Sequence, residues 1–116
     1  MRHKKNIRKI GRNKSHRKAL IRNMAISFFE HAEIKTTEAK AKELQRTVEK
    51  IITLGKAGDM ASYRRINSML NHAPSIAKVK KLSEKCKDRS GGCTRIIKLS
   101  PRPGDNSRMA VIKLVQ

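Results

Sequence analysis

Residues 36–55 read TTEAKAKELQRTVEKIITLG, and this stretch decides the fold. Its apolar residues recur every three or four positions, which is the period of one face of an α-helix. They are Ala41, Leu44, Val48, Ile51 and Ile52. Thr36 or Thr37 can cap this helix, and Glu38 lies in the first turn, where the helix dipole favours a carboxylate. The helix is expected to end near Gly55, with Gly55 and Gly58 closing it. The stretch therefore predicts a long amphipathic helix that buries one face.

A shorter helix and a strand are predicted before this long helix. Ser15 can cap a helix that runs to about His31. Its apolar stripe consists of Leu20, Ile21, Met24, Ala25 and Phe28. Lys18 and Arg22 are expected to face away from the stripe, so that one side of the helix docks and the other is cationic. Residues 33–36 are predicted as a short strand.

Two further helices and a hairpin are predicted after the long helix. Asp59 can cap a third helix and Pro74 can open a fourth. The inward residues are expected to be Met60, Tyr63, Ile66 and Leu70 in the third helix, and Ile76, Val79, Leu82 and Cys86 in the fourth. A Ser-Gly-Gly sequence at 90–92 breaks the helical period, and residues 93–99 and 109–115 are predicted as the strands of a hairpin. These elements predict an α/β fold of two layers, with four helices packed on a small sheet of about three short strands.

The charge of the chain is strongly positive and unevenly distributed. The chain holds 29 Lys or Arg against 9 Asp or Glu in 116 residues, which gives a net charge of +20. The first 29 residues contain ten Lys or Arg and no acidic residue. Such a segment repels itself unless a dense array of phosphates neutralises it, so nucleic acid is the expected partner. Aromatic residues make up only 3% of the chain, which disfavours modules that stack unpaired bases on aromatic rings.

The N-terminal segment is predicted to be a basic extended tail. Residues 1–14 have only Ile7 and Ile10 as apolar residues and cannot bury enough surface to fold alone. We therefore expect a basic RNA-binding tail over residues 1–14 that orders on its partner, and a single compact α/β domain over residues 15–116. The Arg side chains of the tail and first helix can each fork two phosphate oxygens.

Other basic segments allow more than one interpretation. A second cationic cluster comprises Lys78, Lys80, Lys81, Lys85, Lys87 and Arg89, and a solvated helix face explains it as well as a second RNA contact does. Gly91 and Gly92 fit a simple turn better than a phosphate cradle. An Asx turn explains Asp105, while Arg102 and Arg108 stay candidates for RNA contact.

Several classes of function are disfavoured by the sequence. Cys86 and Cys93 are separated by six residues, which fits neither a zinc ribbon nor a disulfide framework, so reduced thiols are expected and no metal site. The His residues are scattered singly, and no nucleophile with a base is evident, so neither an enzyme nor a small-molecule substrate nor a cofactor is predicted. The longest mostly apolar stretch, 24–29, is far too short to span a bilayer.

The order of motifs resembles the bacterial large-subunit ribosomal protein L17 family. In and around the long helix the matching residues are Ile34, Thr36, Thr37, Lys40, Ala41, Lys42, Glu49, Ile51, Ile52, Thr53 and Lys56. Elsewhere they are Arg2, His3 and Lys4, the run from Arg12 through His16 and Arg17 to Arg22, Asn23 and Met24, then Gly91, Gly92, Thr94, Arg95 and Ile96, and finally Arg102, Gly104, Asp105, Asn106, Met109, Ala110, Leu114 and Val115. The chain departs from the family pattern at Cys93, where an aromatic residue is expected, and at Lys113, where an acidic residue is common.

The resemblance implies a structural constituent of the large ribosomal subunit, located in the cytoplasm. It further implies binding to folded large-subunit ribosomal RNA near the exit side of the nascent-chain tunnel, and contact with neighbouring large-subunit ribosomal proteins. Charge and resemblance together give these candidate RNA-binding residues: Arg2, His3, Lys4, Lys5, Arg8, Arg12, Asn13, His16, Arg17, Arg22, Asn23, Lys40, Arg95 and Arg102.

Two rival functions share the positive charge. A nucleoid or DNA-architectural protein would coat or bend duplex DNA with an affinity comparable to its affinity for RNA. A cationic amphipathic membrane binder would bind anionic vesicles, although the charge here belongs to a chain with its own predicted core rather than to an isolated helix. Competition between folded RNA and duplex DNA separates the first rival from the ribosomal hypothesis.

Overall fold

The computed structural model describes residues 3–5 and 7–115. Over these residues the chain forms four helices and three strands. In chain order they are α1 (Lys14–His31), β1 (Glu33–Thr37), α2 (Glu38–Ala57), α3 (Met60–Leu70), α4 (Ala73–Lys85), β2 (Thr94–Lys98) and β3 (Met109–Leu114). The predicted α/β class, with helices on a small antiparallel sheet, is confirmed.

The sheet has the order β1-β3-β2, and both pairings are antiparallel. The last strand of the chain therefore lies in the centre, an order that the sequence pattern did not give. One row across the sheet joins Ile34, Ile112 and Ile96, and of these Ile112 is fully buried. The next row joins Lys35, Val111 and Ile97, of which Lys35 and Ile97 are exposed. Successive side chains point to opposite faces, so the helices cover one face of the sheet only.

Helix α2 lies at the centre of the molecule and contacts every other helix and every strand named above. The apolar set predicted from its period is fully buried: Ala41, Leu44, Val48, Ile51 and Ile52. Helix α1 adds the edge-to-face ring pair of Phe28 and Phe29, whose centroids are 5.5 Å apart. The core is otherwise aliphatic, which agrees with the low aromatic content.

Of the two glycines predicted to close α2, Gly58 does so and Gly55 does not. The helix continues to Ala57, and Gly58 ends it in the left-handed conformation with φ of 69°, which a residue without Cβ adopts freely. Gly55 is buried inside the helix, where a Cβ atom would lie 2.2 Å from Oγ of Ser83 on α4. This glycine is present because two helices approach closely, and periodicity within one helix carries no sign of that contact.

Helix starts are partly as predicted. Asp59 caps α3 by accepting a hydrogen bond from the Ser62 amide, as expected, and Pro74 lies in the first turn of α4. The cap of α1 is Asn13 instead of Ser15, because the Asn13 side chain accepts the His16 amide at 2.9 Å. Thr37 occupies the cap position of α2 without a side-chain hydrogen bond.

Two side chains of the predicted core are placed differently. Met60 was expected inward but is 69% exposed at the start of α3. Cys86 is buried as predicted, although it follows α4 rather than lying within it. Burial raises the pKa of the Cys86 thiol, with a further contribution from the neighbouring Cys93 thiol. Both cysteines are free thiols.

We expect Gly55→Ala to destabilise the protein. The added methyl group meets Ser83 and would displace α4, a cost of about 1–3 kcal/mol for overpacking, against a gain of about 1 kcal/mol from the higher helix propensity of Ala. Thermal unfolding of the full chain measures the difference. Gly91→Ala is the matched control, because nothing lies within 4 Å of a Cβ atom at Gly91. Equal unfolding temperatures for both variants would contradict the close contact.

Candidate nucleic-acid interface

The N-terminal arm comprises residues 1–13, and its segment 7–13 lies against α2. Its backbone turns tightly at Ile10 and Gly11, which have φ of 55° and 63°, and the turn is closed by a 3.1 Å hydrogen bond from the Arg12 amide to the Lys9 carbonyl. The Arg8 amide donates to Oε1 of Glu43 on α2 at 3.3 Å. The basic segment is therefore attached to α2 through the Arg8 backbone amide, which leaves the exposed side chains of Arg8 and Lys9 for another partner.

Arg8 also lies across a cavity from the loop between β2 and β3. A cavity of about 450 Å³ lies between the arm, the start of α2 and this loop, and Arg8, Lys42 and Arg108 line it. Glu38 is the carboxylate among them, and its oxygen lies 2.9 Å from Lys42 Nζ. The hydrogen bond from Lys42 lowers the pKa of Glu38. Cations that are far apart in sequence thus converge here and outnumber the acid.

Helix α1 exposes only part of its predicted cationic side. His16, Lys18 and Asn23 are exposed, and Arg17 is half-buried. The expectation that Arg22 faces away is wrong: its Nε donates to the Met69 carbonyl on α3 at 3.2 Å. Because its aliphatic stem can cover apolar surface while the guanidinium finds an acceptor, an Arg at this position serves packing as well as charge.

The other candidates from the arm and from α2 fall into two groups. His3, Lys4 and Lys5 are exposed, whereas Arg12 and Lys40 are half-buried. Arg12 donates through Nη1 to the Ile10 carbonyl at 2.9 Å, which helps to hold the turn of the arm. The remaining predicted residue of the arm, Arg2, lies outside the described residues.

Arg102 is engaged by a neighbour in its own loop. Its Nε and Nη2 donate to the two carboxylate oxygens of Asp105 at 3.1 and 2.5 Å. Asp105 also accepts from the Ser107 amide at 3.1 Å, which is the predicted Asx turn. The hydrogen bonds from Arg102 hold the pKa of the Asp105 carboxyl well below its usual range. The charge of Arg102 is thus neutralised locally.

Arg95 lies at the opposite end of the sheet from Arg8. It follows Thr94, whose amide and hydroxyl donate to Oε1 of Glu49 on α2 at 2.8 and 2.6 Å. Lys113 is its direct neighbour on β3. Sequence reasoning did not assign Lys113 to any site, and only the strand register reveals this pairing.

Within residues 3–5 and 7–115, no group of three or more His, Cys, Asp or Glu is placed to hold a metal ion. In the same part of the chain, every helix falls short of the length and apolar character that a bilayer crossing requires.

Comparison with known proteins covers almost the whole chain. The family described as ribosomal protein L17 matches residues 20–115. The large ribosomal subunit protein bL17 of Geobacter metallireducens is 50% identical over 117 residues, covering 100% of this chain and 66% of the relative. The proteins of the same name from Desulfotalea psychrophila and Magnetococcus marinus are 49% and 47% identical, and this chain covers 90% and 94% of their lengths. The chain thus spans just under two thirds of the first relative and most of the other two.

These matches place the chain among the structural, non-enzymatic proteins of the ribosome. It belongs to the ribosomal protein L17 family. This membership confirms the resemblance inferred from the motifs, the prediction that the chain is not an enzyme, and its location in the ribosome in the cytoplasm.

We expect the Asp105 carboxyl to stay ionised far below the pH at which an ordinary Asp is protonated. Because its pKa is lowered in the folded state, the ion pair stabilises the loop above the ordinary Asp pKa, and this contribution is lost as the pH falls through the lowered value. An NMR titration of the Asp105 side-chain carboxyl measures this pKa. Arg102→Ala should move the pKa back towards the ordinary value, and Arg108→Ala is the control. Titration of Asp105 at its ordinary value in the unmodified protein would contradict the ion pair.

Proposed function

We propose that this chain is a structural constituent of the large ribosomal subunit that binds and stabilises folded large-subunit ribosomal RNA through its basic arm and first helix. The observation that supports this most is the segregation of charge: the first 29 residues contain ten Lys or Arg and no acid. Phosphate contacts of this kind position a protein on RNA without reading its sequence. The names of the relatives point to the same subunit.

The geometry of the arm supports phosphate binding by side chains rather than by backbone. Lys4, Lys5, Arg8 and Lys9 are exposed, and the contact of the arm with α2 uses the Arg8 amide. Lys and Arg side chains that reach solvent can replace the counterions of an RNA backbone, and the release of those ions drives association. Residues 1–14 act in this proposal as an RNA-binding tail, and residues 15–116 as a single α/β domain that fixes the geometry.

A surface for neighbouring large-subunit proteins is proposed on the open face of the sheet. Ile97 and Leu99 are 39% and 36% exposed there, beside the half-buried Val111. Aliphatic side chains gain free energy against another apolar surface and not against phosphates. The exposed Lys35 on the same face favours a partner segment that is both apolar and acidic. The proposed location near the tunnel exit rests on the family resemblance.

Neutralising the exposed arm should weaken RNA binding in a salt-dependent way. We expect the triple variant K4Q/K5Q/R8Q to flatten the slope of log affinity against log salt by about 2, since each lost phosphate contact removes roughly 0.7–0.9. Binding of the full chain to large-subunit ribosomal RNA across a salt series measures this. The matched control K50Q/R64Q/R65Q removes the same charge from exposed positions on α2 and α3.

The same titration separates the rival function. Equal slopes for the arm variant and its control would contradict RNA binding through the arm. Duplex DNA that competes as well as ribosomal RNA would favour a nucleoid protein instead.

The open sheet face should matter for assembly and not for binding to RNA alone. We expect Ile97→Ser to leave the affinity for isolated ribosomal RNA unchanged and to lower retention on large subunits about fivefold in a salt wash, as a loss on the order of 1 kcal/mol of apolar burial implies. Met60→Ser is the control, because Met60 is also apolar and is 69% exposed. Retention equal to that of the control would overturn the assignment of this face.

A further inference from the structure

A second basic cavity lies at the end of the molecule away from Arg8. It has a volume of about 870 Å³ and is located where β1 and β2 begin and β3 ends, beside the last turns of α1 and α4. Its cationic lining consists of Lys85, Arg89, Arg95 and Lys113, together with His31. Glu33 is the one carboxylate among the described lining residues. Four permanent cations around one acid make this a site for an anion.

The strand register forces two of these cations together. Arg95 on β2 lies directly opposite Lys113 on β3, and like charges in this position destabilise a sheet. Glu33 lies opposite Lys113 on the other side and balances one charge. Neither Arg95 nor Lys113 forms an ion pair with a carboxylate within the described part of the chain. The repulsion is relieved if an anion lies between them.

Helix dipoles account for only part of the cluster. His31 and Lys85 are in the last turns of α1 and α4, where a positive charge stabilises the helix end without any ligand. Arg95 and Lys113 are on strands, and Arg89 lies beyond the end of α4. These three have no helix end to stabilise, so their convergence needs another explanation.

The lining is held by contacts that fix its backbone. Lys56 Nζ donates to the Arg89 carbonyl at 2.5 Å, and the Arg89 amide donates to the Cys86 carbonyl at 3.1 Å. On the opposite wall, the Glu49 carboxylate holds the residue just before Arg95. A site whose backbone is fixed before binding loses less free energy when it orders a ligand.

The rest of the lining suits a nucleotide segment better than a bare ion. Leu82, Cys86, Leu114 and Val115 provide apolar surface between the cations. The volume lies within the range of roughly 300–1,000 Å³ that is typical of sites for small organic ligands. A phosphate with its attached sugar and base offers both the charge and the apolar surface that this lining complements.

We propose that this cavity binds a phosphate-bearing segment of large-subunit ribosomal RNA, different from the segment bound by the arm. The proposal rests on the proposed function. Helix α1 separates the two surfaces, and its 18 residues span about 27 Å at 1.5 Å per residue. The chain therefore bridges two stretches of RNA and fixes their separation through a rigid helix.

Crosslinking in assembled large subunits tests the bridge. A photoreactive amino acid is placed at Lys85 in the cavity or at Lys9 in the arm, with Arg64 on α3 as the control position. We expect Lys9 and Lys85 to crosslink to two separate ribosomal RNA segments. Crosslinks from Lys85 to protein alone, or to the same segment as Lys9, would overturn the proposal.

Binding measurements separate a failure of the cavity from a failure of the proposed function. We expect R89Q/R95Q to flatten the salt slope for ribosomal RNA by about 1.5, as the loss of two phosphate contacts implies, and R64Q/R65Q to change it much less. Circular dichroism checks that both variants are folded. If R89Q/R95Q matches R64Q/R65Q while the arm variant K4Q/K5Q/R8Q weakens binding, only the cavity proposal fails. If the unmodified chain does not bind ribosomal RNA, the proposed function fails as well.

Discussion

Burial of the apolar face of α2 is the constraint on which the rest of the structure depends. Every other helix and every strand described above contacts this helix. Its buried face is therefore the surface on which the rest of the core packs. Gly55 lets α4 approach closely, and the Glu49 carboxylate holds the start of β2 through the Thr94 amide and hydroxyl. A domain with a small aliphatic core has a low free energy of unfolding. The loss of any of these contacts would therefore be a large fraction of its stability.

The packing of the helices and strands around α2 also determines where the Lys and Arg side chains lie. With one side of each element committed to the core, most cations are on the surface, and the topology brings two groups of them together at opposite ends of the sheet. Arg8 and Arg108 line one cavity at one end of the sheet, and Arg95 lies opposite Lys113 at the other end. The charge pattern along the sequence does not show either group as a whole, because each is assembled from separate parts of the chain.

Features of this structure could be predicted from the sequence where the interacting residues are close along the chain, and could not where they are far apart. Local signals predicted the face of α2, the Asp59 cap and the Asx turn at Asp105. Contacts between elements were not predictable: the presence of Gly55 inside a helix depends on Ser83 on another one. Arg22 was expected in solvent because the Met69 carbonyl that accepts its hydrogen bond is 47 residues away. The strand order, and with it the Arg95–Lys113 pairing, depends on which strand returns to the centre of the sheet.

Under the proposed function, folding and RNA binding are thermodynamically linked in this chain. A net charge of +20 on 116 residues disfavours the compact state through self-repulsion, and the repulsion is strongest where cations of like sign are held opposite each other. An RNA backbone that binds only the folded chain stabilises it by mass action and removes the repulsion at the same contacts. Under the proposed function, the cation pairs that cost stability in the free protein are therefore the groups that gain most from RNA binding.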